Sequence, residues 1–428
     1  MSTIPAPVAL LDPAHARATL ARAGLELDDL AIHYRRVQDD GGTVAYRLHG
    51  RDAAGAAVET LGYARWGAPD RIAAIAEKWV GERAEANPLG AGVRTLPDLD
   101  AVLFLLPNDR NLRLLPKVAS LDRLKRLLAP LAPFEPAGFR IRERKSALEL
   151  RRYKPEQRLV ALADLALARD ADGTNRTQRV VVRLFADARG EALQRDLTAW
   201  RAAGAAARLP EPFGSLEDGH IYVEGAVPGD TLRARIRAGL ADPGVFARAL
   251  VELHAARPAL GATRTVESRL ALVHAIVATL VRAQVPGVQG LAELASAARP
   301  ETRTDVPVHG DLHARQVLVG DDGEPVFVDF ERAAMGDPLD DLGNLIAHLV
   351  WEHDTAGAEG AAARPFAEAV TREYALRAGS LDARSLAFHE GCAFLEIAEL
   401  PVRRRLPEAA ATSARAVARA RAAFARAR

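Results

Sequence analysis

The stretch VHGDLHARQVLVGDDGEPVFVDFERAAMGDPLDDLGN, residues 308–344, constrains this chain more than any other part of it. It sets polar side chains at fixed offsets around a short apolar hairpin. Asp311 lies in a His-Gly-Asp turn, where glycine lets the backbone bend sharply. Gln316 follows at the entry to Val317-Leu318-Val319, Asp322-Gly323 makes a turn, and Val326-Phe327-Val328 ends in Asp329. A hairpin brings its outer ends together, so Asp311, Gln316 and Asp329 can gather around one point. One carboxylate can then accept a proton from a nucleophilic hydroxyl. The other, with the amide oxygen, offers the hard oxygen ligands that Mg²⁺ prefers beside substrate phosphates. This is the equipment of phosphoryl transfer, where positioning and charge neutralisation supply most of the catalysis.

The rest of the chain narrows the setting. Its 428 residues suffice for two or three domains. With 49% hydrophobic and 26% charged residues it reads as globular, neither disordered, collagenous nor membrane-spanning. A formal charge of +1 provides no global field to draw it onto nucleic acid. The single cysteine, Cys392, excludes a disulfide framework or a cysteine metal cluster within one chain. The N-terminal residues have neither the basic region nor the apolar core of a signal peptide, and the apolar runs fall well short of the ~20 residues of a membrane span. A cytoplasmic location is therefore expected, with a small-molecule acceptor as partner and neither nucleic acid nor membrane; oligomeric state is not readable. Only five of the 57 basic residues are lysine, so arginine standing where lysine is expected has a compositional background.

Residues 31–37 and 43–48 alternate apolar and polar side chains around Asp-Asp-Gly-Gly at 39–42, a hairpin signal. A strand at 58–66, a helix at 70–83 and a buried strand at 102–106 follow, the last ending in a turn, Pro107-Asn108-Asp109-Arg110, read as structural. Ser120 is expected to cap a helix over 120–131. The Pro-rich stretch at 128–138 marks a boundary. Strands at 139–153, 158–167 and 179–185 and a helix at 189–205 make a second block. Its outline matches the first, each with one tryptophan-bearing helix (Trp79, Trp200). A remote duplication and a chance αβ pattern are both open. From 228 onward the chain reads as mostly helical. The arginines of the last helix form a solvated face, with an acidic partner as the other reading. His220, His254 and His348 show no metal-ligand spacing.

The pattern HGDLH, VL, VDFE and GDPLDDL over residues 309–342 resembles the aminoglycoside phosphotransferase family, within the protein-kinase-like fold. The resemblance implies an α+β bilobal fold, with a β-rich N-lobe over 138–224 and a helical C-lobe over 225–428. A further α+β cap module occupies 1–135. It implies ATP and Mg²⁺ as cofactors, Asp311 as catalytic base, His309 as organiser of its loop, Gln316 and Asp329 as metal ligands, and Asp341 as support of the catalytic loop. Gln316 stands where the family has asparagine, and Glu331 follows Asp-Phe where glycine is usual. Both changes, and an N-terminal cap, occur in the maltokinase and glucosamine kinase-like branch. That branch implies a sugar or aminosugar acceptor; an aminoglycoside is the alternative. Helices between 258 and 300 and after 355 are expected to shape the acceptor pocket.

The expected N-lobe departs further. Arg183, in Val-Val-Val-Arg-Leu, takes the family's nucleotide-binding lysine position, with Asp196 or else Glu191 as its acidic partner. The swap is not neutral, since guanidinium is longer and planar. Backbone of Glu224, Gly225 and Ala226 is expected to receive adenine. No glycine-rich loop is visible: its position reads Arg152-Tyr153-Lys154-Pro155-Glu156-Gln157-Arg158, where Lys154 or Arg158 faces phosphate or solvent. His313 and Glu331 each meet substrate or metal, or only fix the loop. These departures leave a pseudokinase, a binding module without transfer, as a reading of a different class.

Overall fold

The computed structural model of the chain describes residues 7–38, 40–80, 84–205 and 208–428. Asp39 of the expected hairpin and the end of the expected helix at 81–83 lie outside the described residues. The chain divides into two compact units. The first takes residues up to Glu191 together with Phe213–Gly225 and Arg403–Arg405; the second takes 192–212, 226–402 and 406–428.

The first unit starts with helices α1 (Val8–Leu11) and α2 (Pro13–Arg22), the latter capped by the Asp12 carboxylate on the His15 N–H at 3.0 Å. Strands β1 (Asp29–Gln38), β2 (Gly41–Arg51) and β3 (Ala57–Gly67), helix α3 (Pro69–Trp79), and strands β4 (Val93–Leu96) and β5 (Ala101–Leu105) follow. They form an antiparallel sheet ordered β1-β2-β3-β5-β4. Helices α4 (Leu115–Val118) and α5 (Leu121–Leu128) lead to a second sheet. Ser120 stands at the N-cap of α5, but its side chain makes no capping hydrogen bond.

The second sheet contains β6 (Arg140–Ile141), β7 (Ala147–Lys154), β8 (Arg158–Ala168), β9 (Asn175–Phe185), β10 (Pro212–Leu216) and β11 (Ile221–Gly225). The single strand expected over 139–153 is broken by a 3₁₀ turn at Glu143–Lys145. Helix α6 (Arg189–Trp200) joins β9 to β10. The strands run β10-β11-β9-β8, with β7 and β6 both paired to β8. One hydrophobic cluster is continuous across residues 45–223: Phe104, Leu124 and Phe134 pack with Leu159, Val182 and Val223, all fully buried. The N-terminal module and the second sheet therefore share a core.

The second unit contains β12 (Asp230–Thr231), α7 (Leu232–Arg237), α8 (Pro243–Ala255), α9 (Val266–Arg282) and α10 (Leu291–Ala297). Strand β13 (Val306–Val308), the hairpin β14 (Val317–Val319) and β15 (Pro325–Phe327), and β16 (Ala334–Gly336) follow. It closes with α11 (Pro338–Thr355), α12 (Ala363–Ala378), α13 (Ala383–Arg403) and α14 (Ala409–Arg426). Thr265 and Ser268 form a capping box on α9. The inner face of α14 buries Ala416, Val417, Ala420 and Phe424, while Arg419 and Arg426 pair with Asp354 and Glu390 of the same chain at 2.7 and 2.6 Å. No described helix is long and apolar enough to cross a membrane. The α+β class expected from the sequence is the class observed.

Phe104 is fully buried, stacked on Tyr63 at 4.8 Å and edge-on to Trp79 at 5.6 Å. Phe104→Ala should cost about 3–5 kcal/mol through lost burial and a residual cavity. Urea unfolding followed by tryptophan fluorescence checks this.

Candidate active site

The turn between β13 and β14 is held from behind by one carboxylate. Asp341, in the first turn of α11 and 1% exposed, accepts the His309 N–H at 2.7 Å on one oxygen and the Gly310 N–H at 2.8 Å on the other. His254 of α8 adds a contact from Nε2 at 3.1 Å, and its Nδ1 lies 2.9 Å from the Tyr374 hydroxyl. Two backbone donors on one buried carboxylate fix the peptide planes just before Asp311. Gly310 is at φ +76, and a Cβ there would fall 2.2 Å from the Arg332 carbonyl oxygen, so only glycine fits this bend.

His309 is fully buried, its ring 4.6 Å from that of Phe330, which in turn meets Trp200 edge-on at 5.0 Å. Its Nδ1 accepts from the Asp311 N–H at 3.3 Å and its Nε2 lies 2.9 Å from the Val328 carbonyl oxygen. The pattern assigns the Nε2–H tautomer, which ties the Asp311 turn to the end of β15.

The hairpin brings Gln316 and Asp329 into direct contact: Gln316 Nε2 donates to Asp329 Oδ2 at 2.9 Å, and the Gln316 carbonyl accepts the Val328 N–H at 2.9 Å. Asp329 sits at φ +71, a left-handed conformation that a non-glycine residue holds only under constraint. With its nitrogen turned to Asp329, Gln316 has its amide oxygen left to face a cation. Among the described residues no group of three His, Cys, Asp or Glu side chains could hold a metal alone. One amide oxygen and one carboxylate nevertheless fit Mg²⁺, which keeps several waters and takes phosphate oxygens.

Beside Asp311 stands Arg332, its Nη1 3.7 Å from the carboxylate and 3.2 Å from Glu396 of α13. Arg269 of α9 reaches Glu396 at 2.6 Å and Asp340 at 3.3 Å. Asp340 is also paired with Arg264, and His389 Nδ1 lies 3.1 Å away. Burial alone would raise the Asp340 carboxyl, but these cations hold it well below the usual carboxylate range. Asp337, the N-cap of α11, also takes a hydrogen bond from Ser385 at 2.9 Å. Sequence reasoning missed Arg332, Glu396, Asp340 and His254. Asp340 adjoins Asp341 in the motif and could have been suspected; long-range partners of the others leave no local mark.

The His313 ring lies 5.0 Å from that of His348 of α11, tilted by 53°, and its Nδ1 accepts the Arg315 N–H at 3.2 Å. Burial, then the neighbouring His348, push His313 down to about 4; burial pushes His348 down to about 4 as well. Both rings are neutral at pH 7. Glu331 is half-buried next to Phe330.

In the first unit, Arg183 of β9 is 7% exposed and directs Nε and Nη2 to Glu224 Oε1 at 3.2 and 3.0 Å. Asp196 or Glu191 is the partner expected from the sequence; within its own unit Arg183 meets Glu224. Tyr222 lies opposite Arg183 in the β9–β11 register, so Glu224 is the same-face diagonal neighbour. The sheet itself therefore supplies this carboxylate. Asp196 accepts from its neighbour Arg195 at 3.1 Å, and Glu191 is exposed in the first turn of α6. Glu224 thus brings a buried side chain to the segment where only its backbone was expected to act, with Gly225 ending β11 and Ala226 following.

Residues 171–376, a little under half of the chain, match the family model described as the phosphotransferase enzyme family. The resemblance to aminoglycoside phosphotransferases read from the motifs is borne out by this match. No curated protein matches the chain. Among solved structures, choline kinase LicA from Streptococcus pneumoniae is 12% identical with a TM-score of 0.45, covering 64% of this chain and 93% of its own. Macrolide 2'-phosphotransferase MphH from Brachybacterium faecium is 18% identical with a TM-score of 0.42, covering 69% and 98%. A thermostable mutant of aminoglycoside phosphotransferase APH(4)-Ia, bound to AMP-PNP and hygromycin B, is 17% identical with a TM-score of 0.42, covering 65% and 93%.

Two predictions follow from the loop. Asp341→Asn should lower kcat by about 10–10³-fold, because an amide cannot accept both N–H groups as a carboxylate does; ADP release beside a melting curve separates this from global unfolding. The unfolded chain protonates histidine near 6.5, above the folded values of about 4 for His313 and His348. Stability from keeping them neutral is therefore complete above about pH 6.5 and lost as pH falls toward 4. The double variant His313→Asn, His348→Asn should flatten thermal stability against pH in that window.

Proposed function

We propose that the chain is an ATP- and Mg²⁺-dependent kinase that phosphorylates a hydroxyl of a small molecule, with a sugar or aminosugar as acceptor. The observation that carries this reading is the contact of Gln316 with Asp329 in the segment whose adjoining turn presents Asp311 and is pinned by Asp341. Asp311 orients the acceptor hydroxyl and accepts its proton as the oxygen attacks the γ-phosphorus, the β–γ bridging oxygen leaving with ADP. Gln316 and Asp329 hold Mg²⁺, whose chemistry is to neutralise phosphate charge. Arg183, steadied by Glu224, contacts the α- and β-phosphates, and the backbone of Glu224, Gly225 and Ala226 receives the adenine. Glu331 and His313 line the acceptor side or brace the loop. Residues 1–135, 138–224 and 225–428 serve as cap, nucleotide lobe and catalytic lobe of a cytoplasmic enzyme that needs neither nucleic acid nor membrane.

The sugar reading is supported by Gln316, by Glu331 after Asp-Phe, and by the N-terminal module; an aminoglycoside is the alternative acceptor. The buried Arg183–Glu224 pair favours a second reading, a nucleotide-binding module without transfer, because a guanidinium committed to a carboxylate has less to offer phosphate. ADP release across sugars, aminosugars and aminoglycosides separates them. The kinase reading expects turnover with one sugar class, a fall of about 10²–10⁴-fold in Asp311→Asn, and loss of activity with EDTA restored by excess Mg²⁺. Nucleotide binding with no turnover on any acceptor would favour the second.

A further inference from the structure

The five strands of the first sheet repeat five of the six strands of the second. Strands β1-β2-β3, helix α3 and strands β4-β5 give the order β1-β2-β3-β5-β4; strands β7-β8-β9, helix α6 and strands β10-β11 give β7-β8-β9-β11-β10. The registers agree as well. β3 and β9 are each eleven residues long, and Gly67 pairs with Gly41 as Phe185 pairs with Arg158. The third residue from the end is arginine in both: Arg65 lies between Thr43 and Val102, Arg183 between Val160 and Tyr222. Each is 7% exposed. Helices α3 and α6 both end on their tryptophan.

The repeat breaks where the anion partner should be. The register position of Glu224 is Phe104 in the first sheet, stacked on Tyr63. Arg65 instead meets the Glu156 carboxylate at 4.0 Å, and both side chains are 8% exposed. Glu156 is the tip of the β7–β8 turn, the segment that stands where a glycine-rich phosphate loop is expected. It lies at φ +61 without being glycine.

The loop after β5 fastens that turn. Arg110 holds Glu156 through Nε at 3.0 Å and Nη2 at 2.9 Å. Asp109 Oδ2 accepts the Glu156 N–H at 2.9 Å and the Tyr153 hydroxyl at 2.7 Å, while Oδ1 accepts the N–H groups of Asn111 and Leu112. Gln157 donates to the Tyr34 hydroxyl at 2.8 Å. A bidentate arginine and a buried carboxylate on one residue give the turn a single conformation.

We propose that the N-terminal module is a duplicate of the nucleotide-binding sheet that holds the neighbouring phosphate turn, with Arg65, Asp109 and Arg110 as positioning residues and Glu156 filling the anion place of the duplicate. The proposal rests on the reading of the second sheet as the nucleotide lobe. It gives the turn a substitute for glycine: backbone shape imposed from outside instead of permitted from within.

The test combines two readouts on the full chain. Hydrogen exchange of residues 155–157 reports the clamp, and the KM for ATP against kcat reports its use. In Glu156→Gln and Arg65→Met, exchange of the turn should quicken at least about tenfold, and KM for ATP should rise about 5–10-fold with kcat within about threefold. Arg110→Lys, which keeps charge but loses the fork, guards against a misfolded variant and should show an intermediate effect. Unchanged exchange in folded variants overturns the clamp whatever the nucleotide does. Faster exchange with an unchanged KM overturns the positioning role. If the wild type binds no ATP, the nucleotide reading fails and the positioning role with it, while the exchange data still decide whether the duplicate holds the turn.

Discussion

Everything in the catalytic segment hangs on the Asp341 carboxylate. It is buried, it accepts two consecutive backbone N–H groups, and it meets a histidine from α8. A carboxylate so placed is stable only while all its donors are present, since a buried charge stripped of partners costs several kcal/mol. The loop geometry and the placement of the Asp341 carboxylate therefore require one another. Gly310 lets the backbone pass, and His309 carries the constraint across to Val328 and so to Asp329. The left-handed Asp329 is the far end of this chain of hydrogen bonds.

Around that core the unit is built from paired charge. Asp340, Arg264, Arg269, His389, Glu396 and Arg332 link the base of α11 to the immediate neighbourhood of Asp311. Such a network is geometrically exacting, because each member is satisfied only in one arrangement. The first unit uses the same device on a smaller scale, at Arg183 with Glu224 and at Arg65 with Glu156. In both sheets a buried arginine meets a carboxylate, which an arginine-rich, lysine-poor composition makes natural.

Residues 308–344 were legible because their chemistry is local: turn, strand, turn and strand follow from the glycines and the apolar runs, and hairpin closure follows from them. The mostly helical character of the chain from 228 onward was legible as well. Arg183 was singled out from its place in the strand, but the Glu224 side chain was not paired with it, because a diagonal cross-strand neighbour depends on a register that single-strand patterns do not reveal. The Asp109 turn was read as structural, and its hold on Glu156, 47 residues away, had no sequence mark. The repeat of the two sheets was visible only as an outline; strand order and register make it specific.

The proposed function stands or falls with Gln316 and Asp329 as a cation site serving a bound nucleotide. Calorimetric titration of ATP into the protein, with and without Mg²⁺, tests it most directly. Binding should strengthen with Mg²⁺ and lose that metal dependence in Asp329→Asn. ATP binding of equal strength with and without the metal in the wild type would contradict it.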